Sequence, residues 1–218
     1  MAASGIPDSS FTLDPRWPSI QALIDAHPEL RLDLGCGRVK PAGYVGLDNL
    51  VGVPPDQLAH PPAPGDAAPA AGALEGPDVY LDLNQEPFPF PTGSCAEVRA
   101  RHFLEHSVLD HIFAEAWRVL RPGGLFVIVV PYANSAWGMY PGHSIFLTER
   151  FFAESEPFVS RFAIERTTYR QDEAWEAWPR LLRRLIPYDW ARTHLFNVCK
   201  EMRIEARARK PSEDGGWR

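Results

Sequence analysis

A glycine-rich turn and a following carboxylate are the residues of this chain whose types and spacing most suggest chemistry. Leu32-Asp33-Leu34 leads into Gly35-Cys36-Gly37, and Gly46-Leu47-Asp48 follows shortly afterwards. Glycine lets a backbone turn sharply and approach a ligand closely, because it carries no Cβ. An acid at the end of the second strand is placed to accept hydrogen bonds from the hydroxyls of a ribose. The pattern predicts a nucleoside-binding crevice.

The same turn disfavours a dinucleotide. A dinucleotide-binding turn has the form Gly-x-Gly-x-x-Gly and opens a helix whose N-terminus holds the pyrophosphate. Here Arg38-Val39-Lys40 follows Gly37, so the third glycine is missing, and no full helix fits before Tyr44. Parallel strands usually need a connection of about a dozen residues. We therefore expect an unusually short first crossover.

Histidines after two predicted strands could remove a proton from a substrate, because histidine titrates near neutral pH. His102 ends the fourth predicted strand, and His143 lies in the loop after the fifth. We assign His143 as the candidate general base and place His102 in the lining of the nucleoside pocket. A loop histidine bonded to backbone is the alternative for His143. Tyr132, Asn134 and Tyr140 share its loop and could position a substrate.

A metal site is not expected. His102 and His106 are spaced to share one helical face, with Glu105 between them. Their order is the reverse of the zinc motif His-Glu-x-x-His, and no third ligand is evident. We interpret these residues as a helix cap and a helix surface.

Structural roles compete with the other assignments. Aspartate is common where strands end, so Asp33, Asp48 and Asp82 could each be turn residues. Three acids at consecutive strand ends beside a glycine turn favour ligand binding instead. Cys36 is expected to be a small buried filler and not a nucleophile, because no activating base lies nearby in the sequence.

Alternating strands and helices must position these residues, and they predict a doubly wound α/β sheet. The apolar periodicity predicts strands at 30–34, 44–47, 79–83, 96–102, 125–130, 162–169 and 202–209, and helices at 19–27, about 103–120, 148–153 and 173–185. Ser19 is the expected N-cap of the first helix.

Composition favours one cytoplasmic domain. The chain has 218 residues, which suits a single domain, with a Pro/Ala-rich surface insertion at about 53–78. The formal charge of -6 argues against a broad nucleic-acid surface. Three widely spaced cysteines favour reduced thiols in the cytoplasm. We predict neither a signal peptide, because no basic region precedes an apolar core, nor a membrane span, because no apolar run is long enough.

Five motifs in chain order resemble the class I S-adenosylmethionine-dependent methyltransferases over Leu30 to about Tyr132. They are Asp33-Leu34-Gly35-Cys36-Gly37, Gly46-Leu47-Asp48, Leu81-Asp82-Leu83 with Pro87-Phe88-Pro89-Phe90-Pro91, Arg101-His102-Phe103-Leu104-Glu105-His106, and Arg118-Val119-Leu120-Arg121-Pro122-Gly123-Gly124. The resemblance implies a mostly parallel, seven-stranded Rossmann-like sheet whose last strand is antiparallel. It also implies S-adenosylmethionine as the cofactor.

The resemblance implies a role for each part of the cofactor site. The glycine turn would lie against the methionine half, Asp48 would hold the ribose, and Asp82 with Leu83 would face the adenine. The implied cofactor-binding residues are Asp33, Gly35, Cys36, Gly37, Asp48, Asn49, Asp82, Leu83 and His102.

We therefore expect methyl transfer to an oxygen or nitrogen of a small-molecule acceptor, with no nucleic-acid partner. The alternatives are a catalytically inactive S-adenosylmethionine-binding module and, less favoured, a nicotinamide-dependent oxidoreductase. Arg183 and Arg184 are expected to lie on an amphipathic helix, with an anionic-substrate site as the alternative. Exposed aromatic residues in the same region would suit a homodimer interface.

Overall fold

The computed structural model describes residues 16–50 and 76–210, which form one seven-stranded sheet with flanking helices. The strands are β1 (Arg31–Leu34), β2 (Val45–Asp48), β3 (Val79–Tyr80), β4 (Cys95–Arg101), β5 (Leu120–Pro131), β6 (Phe162–Gln171) and β7 (Cys199–Ala208). The helices are α1 (Trp17–Ala26), α2 (Leu109–Val119), α3 (Glu149–Glu154), α4 (Glu156–Val159), α5 (Glu173–Glu176), α6 (Arg180–Leu185) and α7 (Tyr188–His194), with a short 3₁₀ helix at Leu104–His106.

The strand order is β3-β2-β1-β4-β5-β7-β6. The five strands from β3 to β5 are parallel to their neighbours, and β7 is antiparallel to both β5 and β6. This confirms the mostly parallel sheet with an antiparallel last strand. The strand order reverses between β1 and β4, and in open α/β sheets ligands bind at such a reversal, beyond the carboxyl ends of the strands.

The first crossover is as short as the sequence predicts. Residues 35–44 join β1 to the parallel β2 and contain no helix. The backbone N–H groups of Gly35 and Cys36 donate to the carbonyl oxygen of Leu47, at 2.9 and 3.4 Å. The connection therefore folds directly back onto the end of β2, which removes the need for a covering helix at this position.

Aromatic side chains fill the core between β5, β6 and the helices α2 and α4. Phe113 packs edge-to-face on Phe126 and Phe158, with ring centroids 6.4 and 5.3 Å apart. Phe162 lies 5.1 Å from Phe126 and 5.2 Å from Phe158. This core holds β4 and β5 rigidly beneath the loops that follow them, since closely packed interiors resist displacement.

Several predicted boundaries at the ends of elements were wrong. The first helix begins at Trp17, with Pro18 in its first turn, so Ser19 is not the N-cap. The predicted helix over 173–185 is two helices, because Pro179 cannot continue a helix from its N-terminal side. The third strand ends at Tyr80, and β5 starts already at Leu120.

Two further features bear on the expectations from composition. The predicted insertion at 53–78 lies almost entirely outside the described residues. Within residues 16–50 and 76–210, no helix is long and apolar enough to cross a bilayer.

Candidate active site at the carboxyl ends of the parallel strands

The glycine turn after β1 is closely packed. Gly35 and Gly37 have φ angles of +63° and +62°, a region that side-chain-bearing residues rarely adopt. A Cβ at Gly35 would lie only 2.4 Å from Cδ2 of Phe103, in the segment that follows β4. The turn therefore needs glycine at position 35 for its conformation and also for its contact with the neighbouring strand's loop.

Asp48, the last residue of β2, is tied to the same turn. Its Oδ2 accepts a hydrogen bond from the N–H of Gly37 at 2.8 Å, and its Oδ1 accepts one from the N–H of Leu50 at 2.8 Å. A carboxylate offers about four acceptor positions. Asp48 is therefore held in place by the backbone and keeps lone pairs for two hydroxyl groups. Its neighbour Asn49 is exposed.

Cys36 fills space beneath the turn. Its thiol is buried, and a Cβ at Gly46 would lie 2.7 Å from its Sγ. Burial raises the pKa of the thiol, and the carboxylates of Asp33 and Asp48 raise it further. The thiol therefore stays protonated at neutral pH, in agreement with the filler role that the sequence predicts.

Asp33, near the end of β1, forms a buried ion pair. Its Oδ1 lies 3.3 Å from Nη1 of Arg99, its partner in the register of β4, and the two residues are only 3% and 6% exposed. A buried carboxylate needs such a partner, because an isolated buried charge is costly. Arg99 thus fixes the orientation of Asp33 beside the glycine turn.

Asp82 caps the turn after β3. Its Oδ1 accepts from the N–H of Asn84 at 3.0 Å, and its Oδ2 accepts from Nε2 of Gln85 at 2.6 Å. This is the turn role that the sequence analysis weighed against ligand binding, and adenine contact by Asp82 stays a prediction. The adjacent Leu83 is buried.

His102 begins the segment after β4 with a φ of +51°, which is uncommon for a residue with a side chain. Its Nε2 lies 2.8 Å from Oε1 of Glu201 on β7. Burial alone would raise the pKa of Glu201, but the hydrogen bond and charge of His102, with the charges of Arg101 and Arg170, lower it to about 2. Glu201 is therefore an anion at neutral pH, and it holds the ring of His102 in place.

Glu105, His106 and His143 lie together beyond the ends of β4 and β5, and we call them the Glu105 cluster. Their nearest ligand-type atoms all lie within 4.8 Å of one another. Nε2 of His143 is 4.0 Å from Oε1 of Glu105, and the rings of His106 and His143 pack edge-to-face at 4.8 Å. Glu105 is 2% exposed, and burial raises its pKa to about 8.

The loop over 132–147 brings His143 to this cluster. The N–H groups of Ser144 and Ile145 donate to the backbone carbonyl of Glu105 at 3.0 and 3.3 Å, and the Ser144 hydroxyl donates to it at 3.1 Å. The N–H of Ala133 donates to the carbonyl of Leu147 and closes the base of the loop. The loop is thus docked on the 3₁₀ segment by its own backbone.

Comparison with known proteins agrees with this geometry. Residues 32–128 match a family model described as a methyltransferase domain. This match spans the glycine turn, Asp48, Asp82 and the Glu105 segment. Residues 32–128 are therefore a methyltransferase domain, in agreement with the family that the sequence motifs resemble. The cofactor of this chain is S-adenosylmethionine, and the chain is an enzyme of methyl transfer.

Solved methyltransferases share the fold. A variant of the 16S rRNA (adenine(1408)-N(1))-methyltransferase from Catenulisporales acidiphilia, with cosubstrate SAM, is 13% identical, with a TM-score of 0.53 over 92% of this chain and 94% of that chain. A SAM dependent methyltransferase from Archaeoglobus fulgidus is 14% identical, with a TM-score of 0.52 over 91% and 96% of the two chains. At this identity the likeness concerns the fold alone. No curated protein sequence matches the methyltransferase significantly.

The structure corrects the interpretation of Glu105 and His106 in this methyltransferase. They are not on the surface of an α-helix, because Leu104–His106 is a 3₁₀ turn and Glu105 is buried. No third ligand is evident beside them in the sequence, whereas the fold brings His143 to them. The available signal was that both segments follow adjacent parallel strands, whose carboxyl ends meet at one edge.

Two loop residues expected to position a substrate are used by the fold instead. Tyr132 is buried, and its hydroxyl accepts from Nη1 of Arg192 at 2.9 Å. Asn134 donates through Nδ2 to the carbonyl of Leu195 at 2.9 Å. Both residues thus tie the loop to helix α7. Tyr140 is 44% exposed and remains accessible at the loop surface.

Arg183 and Arg184 lie apart from the methyltransferase site. They line an open groove of about 500 Å³ with Trp175, Tyr188 and the end of β6. Strands in a sheet are about 4.8 Å apart, so β6 lies roughly 24 Å from β2 across the sheet. Any anion bound in this groove would be remote from the carboxylate of Asp48.

Proposed function

We propose that this methyltransferase transfers the methyl group of S-adenosylmethionine to an oxygen or nitrogen atom of a small-molecule acceptor. The observation that carries the proposal is the hydrogen bond between the Gly37 N–H and the Asp48 carboxylate. This bond joins the glycine turn, where a ligand would meet only backbone, to Asp48. The carboxylate of Asp48 keeps lone pairs that can accept from the hydroxyls of a ribose. Such a pair suits a nucleoside that carries no pyrophosphate, because no pyrophosphate-binding helix follows the turn.

The proposed cofactor position follows the strand ends. The ribose hydroxyls donate to Asp48, with Asn49 beside them, and the methionine half lies over Asp33, Gly35, Cys36 and Gly37. The adenine lies towards β3, against Asp82 and Leu83. His102 borders the methionine side, where Glu201 fixes its ring. The methyl group then faces the ends of β4 and β5.

The acceptor is proposed to lie over these two strand ends, beneath the loop over 132–147. The backbone bonds to Glu105 dock this loop close to the sheet, so it restricts the space available to an acceptor. The net charge of -6 supports a small acceptor over a polyanionic nucleic acid. Because one structural neighbour acts on 16S rRNA, RNA is included in the test below.

The transfer is an in-line displacement at the methyl carbon. The acceptor atom forms a bond to this carbon while the carbon–sulfur bond breaks, and the sulfonium becomes a neutral thioether. Alignment within a closed site supplies much of the rate enhancement. We propose that Nε2 of His143 takes the acceptor's proton. Its Nδ1 donates to the Gly138 carbonyl at 3.0 Å, which leaves a lone pair on Nε2.

Calorimetric titration with S-adenosylmethionine tests the cofactor position. Asp48→Ala should weaken binding about 30-fold or more, because two hydroxyl bonds to a charged acceptor are lost. Asp110→Ala, at an exposed acid of α2, is the matched control and should bind as the wild type. Undiminished binding by Asp48→Ala would refute the ribose assignment. Titration with NAD tests the oxidoreductase alternative. That alternative requires binding heat with NAD and none with S-adenosylmethionine or S-adenosylhomocysteine.

Release of S-adenosylhomocysteine tests the acceptor class. Small molecules bearing hydroxyl and amino groups should support turnover, and 16S rRNA and short oligonucleotides should not. Turnover with RNA alone would overturn the small-molecule part of the proposal. Cofactor binding with no turnover on any class would favour the inactive binding module.

We also propose a cytoplasmic location and a homodimer. The location is supported by three buried cysteines, all of them free. The dimer is supported by apolar side chains exposed on α6 and α7, namely Leu181, Leu185 and Trp190. Sedimentation equilibrium of the wild type and of Leu181→Glu tests the dimer, which the variant should dissociate.

A further inference from the structure

The Glu105 carboxylate is buried without a hydrogen-bond donor. Both of its oxygens are fully covered, and neither makes a well-formed hydrogen bond with a described residue, although the backbone N–H of Glu105 itself acts to lower its pKa. A buried polar group that is left unpaired destabilises the folded protein. The unpaired Glu105 carboxylate therefore calls for an explanation. The explanation must be a proton on the carboxyl or a cation beside it.

The two neighbouring histidines also present lone pairs. Nδ1 of His143 lies 3.0 Å from the Gly138 carbonyl oxygen, and Nδ1 of His106 lies 3.1 Å from that of Gly142. A carbonyl oxygen only accepts, so each Nδ1 carries the hydrogen and each Nε2 carries the lone pair. A backbone carbonyl on the second nitrogen is the usual way that a metal-binding histidine is oriented.

When the Glu105 carboxyl is deprotonated, the cluster joins three acceptors. Nε2 of His143 is 4.0 Å from Oε1 of Glu105, with no donor between them among the described residues. The anionic Glu201 adds to the negative potential at Glu105. Acceptors that converge without a donor repel one another, and a bound cation would reverse that repulsion.

The spacing and the chemistry fit a transition metal. Ligand atoms about 2.1 Å from one ion lie about 3 to 3.5 Å from each other, so the cluster must close by about 1 Å. Two imidazoles and one carboxylate favour Zn²⁺, Co²⁺, Fe²⁺ or Mn²⁺ over Mg²⁺ and Ca²⁺, which prefer oxygen ligands. Three protein ligands also leave coordination positions open, as in catalytic sites.

From this geometry we infer that Glu105, His106 and His143 bind a divalent first-row transition metal at the carboxyl ends of β4 and β5. The sequence shows no third ligand beside Glu105 and His106, and the docked loop supplies one. The site lies where the acceptor is placed in the proposed function, but binding of the metal itself does not depend on that function. With the metal bound, Nε2 of His143 is a ligand and no longer the base of the proposed function, and the cation itself would favour deprotonation of an acceptor atom that binds it.

Metal titration of the chelator-treated full chain tests the inference. Zn²⁺ measured by calorimetry and Co²⁺ measured by its visible absorption should each bind with one equivalent per chain. Glu105→Gln, His106→Gln and His143→Gln should each lower the affinity for both metals at least 10- to 100-fold. His194→Gln, at an exposed histidine of α7, is the matched control and should bind as the wild type.

Titration with S-adenosylmethionine in the presence of chelator separates this inference from the proposed function. Unchanged cofactor binding by the three variants shows that they are folded, and it makes any loss of metal binding specific. If a variant fails to fold, X-ray absorption of the Zn²⁺-loaded wild type replaces it and should show two imidazole ligands. Absence of metal uptake by the wild type, equal uptake by Glu105→Gln, or a spectrum without imidazole would each overturn the inference, leaving a protonated Glu105 carboxyl as the explanation.

Discussion

The two halves of the site are built in different ways. On the β1–β2 side, Gly37 and Asp48 are 11 residues apart and are joined through a backbone N–H. On the β4–β5 side, Glu105 and Ser144 are 39 residues apart, and their contact depends on how one loop docks on another. A site made of backbone and short connections is encoded locally. A site made of converging side chains needs the assembled sheet.

The two halves also differ in how their carboxylates are satisfied. Asp48 accepts two backbone hydrogen bonds at 2.8 Å, and Asp33 pairs with Arg99. Glu105 is more deeply buried than Asp48 and has no donor among the described residues. Carboxylates that the fold already satisfies can orient a cofactor, whereas an unsatisfied buried carboxylate indicates a missing partner.

The largest effect is expected from adding a single methyl group to the β1–β2 side. Gly35→Ala should lower the free energy of unfolding by about 3 kcal/mol, from the left-handed conformation and the contact with Phe103. It should also weaken binding of S-adenosylmethionine. Urea denaturation and calorimetry measure the two effects.

Gly43→Ala is the matched control for that prediction. Its φ is +81°, but a Cβ there would have no atom within 4 Å, so only the conformational cost of about 1 kcal/mol is expected. Equal effects at the two glycines would break the comparison, because the turn after β1 would then not depend on its contact with the β4 segment.

The next effect is on the β4–β5 side. Glu201→Gln should destabilise the protein by about 3 kcal/mol at pH 7, because it removes the buried partner of His102 and Arg101. Glu165→Gln, which breaks an exposed ion pair with Arg207 on the same sheet, should cost less than about 1 kcal/mol. Urea denaturation at matched pH measures both, and similar losses would contradict the prediction.

The pH dependence of this effect has a definite sign. The pKa of Glu201 is lowered from 4.5 to about 2 in the folded protein. Its stabilisation is therefore present above pH 4.5 and is lost as the pH falls through 2. The difference in unfolding free energy between wild type and Glu201→Gln should shrink over this window and stay constant from pH 5 to 7.

A smaller effect is expected at the third strand. Asp82→Ala should weaken binding of S-adenosylmethionine about 10-fold, through loss of a charged hydrogen-bond acceptor. Asp82→Asn keeps an oxygen that can accept from the Asn84 N–H and should preserve the turn. If both variants bind the cofactor as the wild type does, Asp82 only stabilises the turn. The cofactor-binding residues would then not include Asp82.

The smallest effect is expected at Cys36. Cys36→Ala should lower the free energy of unfolding by about 1 kcal/mol, because the buried thiol fills space beneath the turn. The raised pKa of this thiol also predicts slow alkylation by iodoacetamide in the folded state. Loss of turnover with intact cofactor binding would instead make Cys36 part of the chemistry.

Much of the fold could be predicted from the sequence because its strands are short apolar segments bounded by turn residues. The parallel sheet and the short connection after Gly37 are confirmed, and so is the antiparallel last strand that the family resemblance implied. Element boundaries were less certain. Pro179 divides a segment that hydrophobic periodicity predicts as one helix. The periodicity of apolar residues carries no information about the backbone N–H that proline lacks.

The candidate site could be predicted only in part. Strand ends and glycines indicate Asp48 and its turn, because both lie on local connections. Tyr132 and Asn134 are polar residues in the correct loop, yet helix α7 uses them as anchors. Such a role depends on a helix some sixty residues later in the chain, which no local pattern contains.

The sequence by itself determined where backbone must turn and where strands end in acids. These follow from glycine conformation and from the period of apolar residues, and both are local properties. Only the tertiary structure decided that Glu105 is buried and that His106 and His143 face it with lone pairs. Burial and convergence depend on which loops the sheet brings together, and that is a property of the whole fold.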